Sequence, residues 1–347
     1  MFLGYIHLLR GVAILLIVAT HCLPILDWTG AWQTFRVLDI LTTNGTVMFV
    51  FISGFLFQHL SSRFEFRHYL STKFRYVILP YLVVSIPAIA FRMAAKSDIK
   101  GLTDAFYEQV NPVLQVLWFL VTGAHLGPMW FIPVIGLIYL LAPLLVRLDR
   151  DARVYWALPA LLVAASFVHR PADNANPLHA LVHLLPVYMA GMFASRYKER
   201  LMPLLDRWLW PLAGLWAALC AGHFLWVDYT GIIYVQQFLG AGSEAVEWTY
   251  FQKLVLMAVL IAAFRRWERH IPAKAFDDLA TFSFSIYFLH GYLTLTASRL
   301  VLWEGYHVPG NVPVFLLLTL VVTVACIAFV KAVKAVTGAR SRLLVGS

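Results

Sequence analysis

Ten stretches of this 347-residue chain stay apolar for close to twenty residues, the length a helix needs to cross a bilayer. They fall at roughly 4–26, 38–58, 76–95, 128–146, 154–169, 178–195, 209–227, 250–265, 279–299 and 313–336. Hydrocarbon offers no water to satisfy backbone N–H and C=O groups, so segments of this kind have to be helices. With 61% hydrophobic and only 13% charged residues and a mean hydropathy of +0.75, the chain lacks the polar surface of a soluble domain. The expected fold is all-α. It is a polytopic integral-membrane bundle of about ten transmembrane helices, with residues 1–347 forming a single membrane-embedded domain and no separate soluble part.

The net charge of +9 invites a nucleic-acid reading, which the placement of the charges argues against. With the N-terminus inside, nineteen of the 27 Lys and Arg residues fall in or beside inner segments, in groups such as Arg63, Arg67, Lys73, Arg75 and Arg196, Lys198, Arg200, Arg207. Six fall outside (Arg36, Arg92, Lys96, Lys100, Arg170, Arg299), and Lys253 would make a seventh. The positive-inside rule therefore puts both termini in the cytoplasm, and nucleic acid is not an expected partner. Cys22, Cys220 and Cys326 lie within apolar spans, which suits small core residues rather than a disulfide framework. Arg10 interrupts the first span and no small-x-small site follows it, so it reads as a retained helix rather than a cleaved signal.

Three outer segments are longer: 96–127, 228–249 and 300–312. Val113–Thr122 is apolar but too short to span, which suits a re-entrant or interfacial piece. Gly231–Val246, with Gln236, Gln237 and Glu244, could be a lid over an acceptor or simply an ordered cap. Trp28, Trp208, Trp210, Trp226 and Trp248 sit at span ends, as interfacial anchors do.

Charged and polar groups inside spans are the candidates for function, because burying them in lipid is costly. Arg10 and His21 stand eleven positions apart on the first helix, about 20° apart around it and about 16 Å along it. Arg10 could bind a phosphate or carboxylate, or neutralise a buried Asp. His21 could be a general base, since its ordinary pKa is near neutrality, or a plain interfacial histidine. Thr42-Thr43-Asn44-Gly45 opens the second span, and Ser53-Gly54 within it lets another helix approach closely. Lys73 and Arg75 flank the third span, either as phosphate ligands or as positive-inside residues. His125 stands at the outer end of the fourth span, open to an interfacial or a substrate-binding reading, and His290 in the ninth is a core histidine or a second site histidine. His179 and His183 have an i, i+4 metal spacing, but neither an acidic nor a third histidine partner accompanies them in the sequence, so no metal site is expected. His7 and His21 have a haem-like spacing without matching partners on another helix.

Taken in order, these segments resemble the acyltransferase-3 family of integral-membrane sugar O-acyltransferases. The resemblance rests on Arg10-Gly11 followed by His21, Phe49-Val50-Phe51-Ile52-Ser53-Gly54-Phe55, Lys73-Phe74-Arg75 before Pro80-Tyr81, Trp130-Phe131-Ile132-Pro133 with Tyr139, and Ile286-Tyr287-Phe288-Leu289-His290. It covers essentially the whole chain. The basic run departs from the family pattern in holding one Lys and one Arg, where two Arg nearer the proline are common. The resemblance implies transfer of a short acyl group, acetyl first among them, from cytoplasmic acyl-CoA to a hydroxyl of a cell-envelope glycan or lipid-linked sugar. His21 and Arg10 would be catalytic, and Lys73 and Arg75 would bind acetyl-CoA. Asn44, Trp130, His290 and His125 would bind substrate or polarise the thioester carbonyl. A bacterial inner membrane is the implied location, with membrane lipids as surroundings and the oligomeric state left open. The rival class is a transporter or flippase for a lipid-linked sugar, against which stands the lack of internal repeats. A second enzyme class, the membrane-bound O-acyltransferases, places its key residues late in the chain.

Overall fold

The computed structural model describes residues 3–96, 104–227, 234–235, 238–239, 245–267, 273–303 and 307–346. Most of Gly231–Val246, including Gln236, Gln237 and Glu244, lies outside the described residues, and with it the expected acceptor lid. The chain is a helical bundle built from α1 Gly4–Cys22, α2 Trp32–Thr42, α3 Thr46–Leu60, α4 Phe66–Lys73, α5 Leu79–Ala95, α6 Asp104–Gln109, α7 Pro112–Thr122, α8 Phe131–Leu140 and α9 Ala142–Arg150. It continues through α10 Leu158–Phe167, α11 Pro177–Arg196, α12 Lys198–Arg207, α13 Leu209–Trp226, α14 Trp248–Trp267, α15 Ala273–Thr281, α16 Ser283–Trp303, α17 Val312–Thr337 and α18 Ser341–Leu344. A two-residue parallel ladder pairs β1 (Arg170–Pro171) with β2 (Tyr234–Val235), Arg170 opposite Tyr234.

Seven helices or helix runs among the described residues are long and apolar enough to cross a membrane: Gly4–Ile25, Trp32–Arg63, Phe66–Ala95, Pro177–Arg196, Leu209–Trp226, Trp248–Trp267 and Val312–Leu344. An eighth crossing exists if Pro112–Thr122 and Gly127–Leu140, bent by 77° at their junction, count as one broken span. The difference from ten expected spans has local causes. The stretch expected at 154–169 is the shorter helix Ala152–Phe167. The one expected at 279–299 is α16, 21 residues long but diluted by His290 and several Ser, Thr and Tyr residues. The fourth expected span, 128–146, forms the second arm of the broken pair, and Val113–Thr122 forms the first.

Lipid-exposed and interior helices separate by burial. In the most apolar part of Trp32–Arg63, 83% of residues are buried, against 17% for Leu209–Trp226 and 28% for Val312–Leu344, so α3 is central and α13 and α17 face outward. In lipid the hydrophobic effect does not hold helices together, and close packing of small residues does. The α3–α11 crossing shows this: a Cβ placed on Gly54 would stand 2.0 Å from Tyr188 O, and one on Gly191 2.0 Å from Phe51 O. That realises the close approach expected of Ser53-Gly54. Helix α1 packs against α3, α14, α15, α16 and α17, which makes it the hub on which the polar residues of several helices converge.

Candidate active site

His21 lies in the last turn of α1 and His290 in the middle of α16. Their rings meet edge to face with centroids 5.0 Å apart. His21 Nδ1 lies 2.8 Å from Ile17 O and His290 Nδ1 3.0 Å from Ile286 O, each carbonyl one helical turn back. A carbonyl can only accept, so both Nδ1 atoms carry the proton, and in the neutral ring Nε2 is left as a lone-pair acceptor. His290 is fully buried, and its Nε2 has no hydrogen-bond partner among the described residues. Two imidazoles are thus locked in the tautomer a general base requires.

The broken span supplies the wall beside them. Gly123 ends α7 at φ +73°, and a Cβ there would sit 2.4 Å from Trp130 N, so this turn needs glycine on both counts. The Tyr287 hydroxyl donates to Pro128 O, and Pro128 packs onto Gly291, where a Cβ would be 2.9 Å from its ring. Both contacts fasten the break to the His290 helix, and Tyr287 itself stands 5.9 Å from the His290 ring. His125 is buried within the same turn: its Nδ1 donates to Phe119 O at 3.0 Å and its ring lies 5.8 Å from Tyr81. Arg92 Nε donates to the His125 carbonyl at 3.2 Å, and the Tyr81 hydroxyl to Leu120 O at 2.8 Å.

A second break lies between α2 and α3. Asn44 takes φ +67° there, a conformation asparagine tolerates better than most side chains, and it is buried. The following Gly45 abuts α1: a Cβ on it would sit 3.1 Å from Ile17 Cγ1. Asn44 therefore stands at the depth of the carbonyl that holds His21. Its oxygen accepts from Arg170 at 2.7 Å, and its amide nitrogen donates to Glu247 Oε1 and to Thr249 Oγ1. Arg170 is 3% exposed and stacks on Trp130, 4.4 Å from the centroid of the ring. Glu247, just ahead of α14, is fully buried and its Oε2 lies 3.7 Å from His183 Nε2. Burial pushes the Glu247 carboxyl up to about 7, against the opposing pull of Arg170 and the Thr249 hydroxyl.

The remaining candidates lie elsewhere. Arg10 is at the opposite end of α1 from His21; it lies 3.3 Å from His7 Nδ1, and with His7 and His59 it lines a cavity of about 280 Å³. Among the described residues no buried aspartate neutralises it: Asp277, the acid that acts on it, is 64% exposed and pairs with His7 at 3.0 Å. Lys73 and Arg75 part company. Lys73 sits over the rings of Tyr69 and Tyr139 at 5.3 and 4.9 Å and lines a cavity of about 950 Å³ with Tyr81, Thr122 and Asn176. Arg75 is exposed, within a π-helical turn, Phe74–Ile78, of a kind often found at functional sites.

The structure thus brings His21, His290, Trp130 and Asn44 into one polar cluster, sets His125 behind its wall, and leaves Arg10 and Lys73 on separate cavities and Arg75 exposed on neither. Arg170 and Glu247 join that cluster unannounced by the sequence pattern, where they read as an outer positive residue and part of a polar outer segment. The pair His179 and His183 does have an acidic neighbour, Glu247, 64 positions beyond His183 in the chain. His179 Nε2 is taken by Val168 O at 2.9 Å, and no group of three metal-ligating side chains occurs among the described residues. No curated protein and no solved structure matches the chain. A family model described as an acyltransferase domain matches residues 3–331. With nearly its whole length inside that match, the chain belongs to the acyltransferase-3 family.

Proposed function

We propose that this acyltransferase moves a short acyl group, acetyl in the first instance, from cytoplasmic acyl-CoA to a hydroxyl of a cell-envelope glycan or lipid-linked sugar, with His21 as general base. The observation that carries the reading is the facing pair His21 and His290, each held with a free lone pair on Nε2. A sugar hydroxyl is a weak nucleophile, and a base placed to take its proton contributes about 10²–10⁴ in rate. In this reading ten helices cross a bacterial inner membrane, α16 and the short helix Ala152–Phe167 among them, both termini lie in the cytoplasm, and the protein is one membrane-embedded domain.

The separation of Arg10 from His21 then has a use. About 16 Å along α1 is comparable with the arm that joins the phosphates of CoA to its thioester. Arg10 would hold phosphate at the inner end while the acyl carbon reaches the histidines. Lys73 would hold the same donor from the larger cavity, whose volume suits a cofactor-sized ligand, and Arg75, exposed beside it, would hold the donor from outside that cavity. Asn44, Trp130, His290 and His125 would shape the acceptor side.

The test is turnover of acetyl-CoA by the purified protein in nanodiscs, wild type beside His21→Ala and Arg10→Ala. The expected result is CoA release that rises with a sugar acceptor and falls at least a hundredfold in His21→Ala. Normal transfer by His21→Ala removes the proposed base. Failure of folded wild type to bind or turn over any short acyl-CoA overturns the reading.

A further inference from the structure

We propose that Arg170, aimed by Asn44 and Glu247, supplies the positive charge that stabilises the oxyanion formed when the acceptor hydroxyl attacks the thioester. The inference rests on the acyl-transfer reading given above. An arginine almost out of contact with solvent is costly unless it is paired, and by default such a residue reads as functional. Arg170 is not simply paired. One guanidinium nitrogen donates to Asn44 Oδ1 at 2.7 Å, and the plane lies over Trp130. Among the described residues Nε has no hydrogen-bond partner, and no carboxylate stands within ion-pairing distance. Glu247 feels the charge of Arg170 but is joined to it by hydrogen bonds only through Asn44, and its own close neighbour is His183.

The position of Arg170 fits the role. Gly45, next to Asn44, packs against Ile17, whose carbonyl fixes His21. Trp130, under the guanidinium, ends the short 3₁₀ turn (Gly127–Trp130) that the Tyr287 hydroxyl ties to the His290 helix. Arg10 cannot serve the same atoms, being about 16 Å away along α1.

The charge balance points the same way. With its carboxyl pushed up to about 7, Glu247 carries only part of a negative charge near neutral pH. Among the described residues the charge of Arg170 is therefore incompletely offset, and it lies over an aromatic ring in a buried site, where a fixed charge acts far more strongly than in water.

In the step itself the acceptor oxygen forms a bond to the thioester carbon as its proton passes to His21 Nε2. The carbonyl π pair moves onto oxygen, and Arg170 faces that charge. Collapse restores the C=O, breaks the C–S bond, and the CoA sulfur leaves with the proton from His21. Asn44 and Glu247 act as positioning residues: the amide holds one arm of the guanidinium, and Glu247 with Thr249 holds the amide.

The experiment measures kcat and KM for acetyl-CoA in nanodiscs, with octyl glucoside as the hydroxyl acceptor, for wild type, His21→Ala, Arg170→Met, Arg170→Lys and Asn44→Ala, with a thermal melt of each. Loss of an oxyanion-stabilising group lowers rate by about 10²–10³. Arg170→Met should show that loss in kcat, with KM within about threefold of wild type. Arg170→Lys should recover at least tenfold of it, and Asn44→Ala should lose about tenfold. A kcat near wild type in Arg170→Met, or a loss confined to KM, overturns the proposal while leaving the acyltransferase intact. If Arg170→Met does not fold, wild-type kcat in both Arg170→Lys and Asn44→Ala overturns it equally. Absence of His21-dependent turnover in folded wild type is the separate result that removes the acyl-transfer reading and this inference with it.

Discussion

Replacing Gly54 by alanine tests whether the α3–α11 crossing holds the bundle together. The new Cβ would stand 2.0 Å from Tyr188 O, 2.8 Å from its carbonyl carbon and 3.1 Å from its Cα. All three are backbone atoms, so no side chain can swing away. Restoring an ordinary carbon–oxygen contact requires the helices to part by about 1 Å, and a gap of that size forfeits a quarter to a half of each lost dispersion contact. Over some tens of atom pairs at about 0.1–0.2 kcal/mol each, the loss comes to about 2–4 kcal/mol, at the upper end of ordinary overpacking. Gly191→Ala meets Phe51 O at the same distance and should cost as much. The double variant should cost clearly less than the sum, because one separation relieves both clashes. Gly214 on α13 is the control: nothing lies within 4 Å of its Cβ position, so Gly214→Ala should be neutral or gain up to about 1 kcal/mol from helix propensity. Thermal melts of detergent-purified protein, read by loss of the monodisperse peak, measure all four. A Gly54→Ala protein melting within about 1 °C of wild type would refute the reasoning.

Other consequences are equally direct. Glu247→Gln should flatten the pH dependence of stability. A folded-state carboxyl near 7 against an ordinary value of 4.5 binds its proton more tightly when folded. Its contribution, about 3 kcal/mol at 1.36 kcal/mol per pH unit, is full below about pH 4.5 and lost as pH rises through 7. Melts between pH 5 and 8 should slope for wild type and not for the variant, and equal slopes would refute the assignment. Lys253, fully buried, donates to Ile40 O and Leu41 O at 3.2 and 3.0 Å and so caps the end of α2. Lys253→Met should destabilise by about 1–3 kcal/mol through the two deprived carbonyls, and an unchanged melt counts against the cap. Lys73→Met should raise KM for acetyl-CoA about tenfold more than Arg75→Ala does, since only Lys73 faces the larger cavity; equal effects would reject that distinction.

Much of this architecture was legible in the order of residues, because it depends on local periodicity and on the solvent. Twenty apolar residues in lipid have no choice but to be helical, and Arg10 and His21 share a helical face by spacing alone. The small residues Ser53-Gly54 announced a close helix contact, and the residues resembling the acyltransferase-3 family pointed to His21 and His290 without showing that they meet. Hydropathy ran out where helices break. The bend between Thr122 and Gly127 divides one apolar stretch by 77°, and the left-handed Asn44 interrupts another. Only tertiary structure could pair Arg170 with Asn44, 126 positions away, and Asn44 with Glu247, 203 positions away. An arginine beside a span end looks the same in sequence whether it faces lipid headgroups or a buried amide. What decides between them is which other helices fill the space around it, and that depends on the packing of the whole bundle rather than on any local pattern.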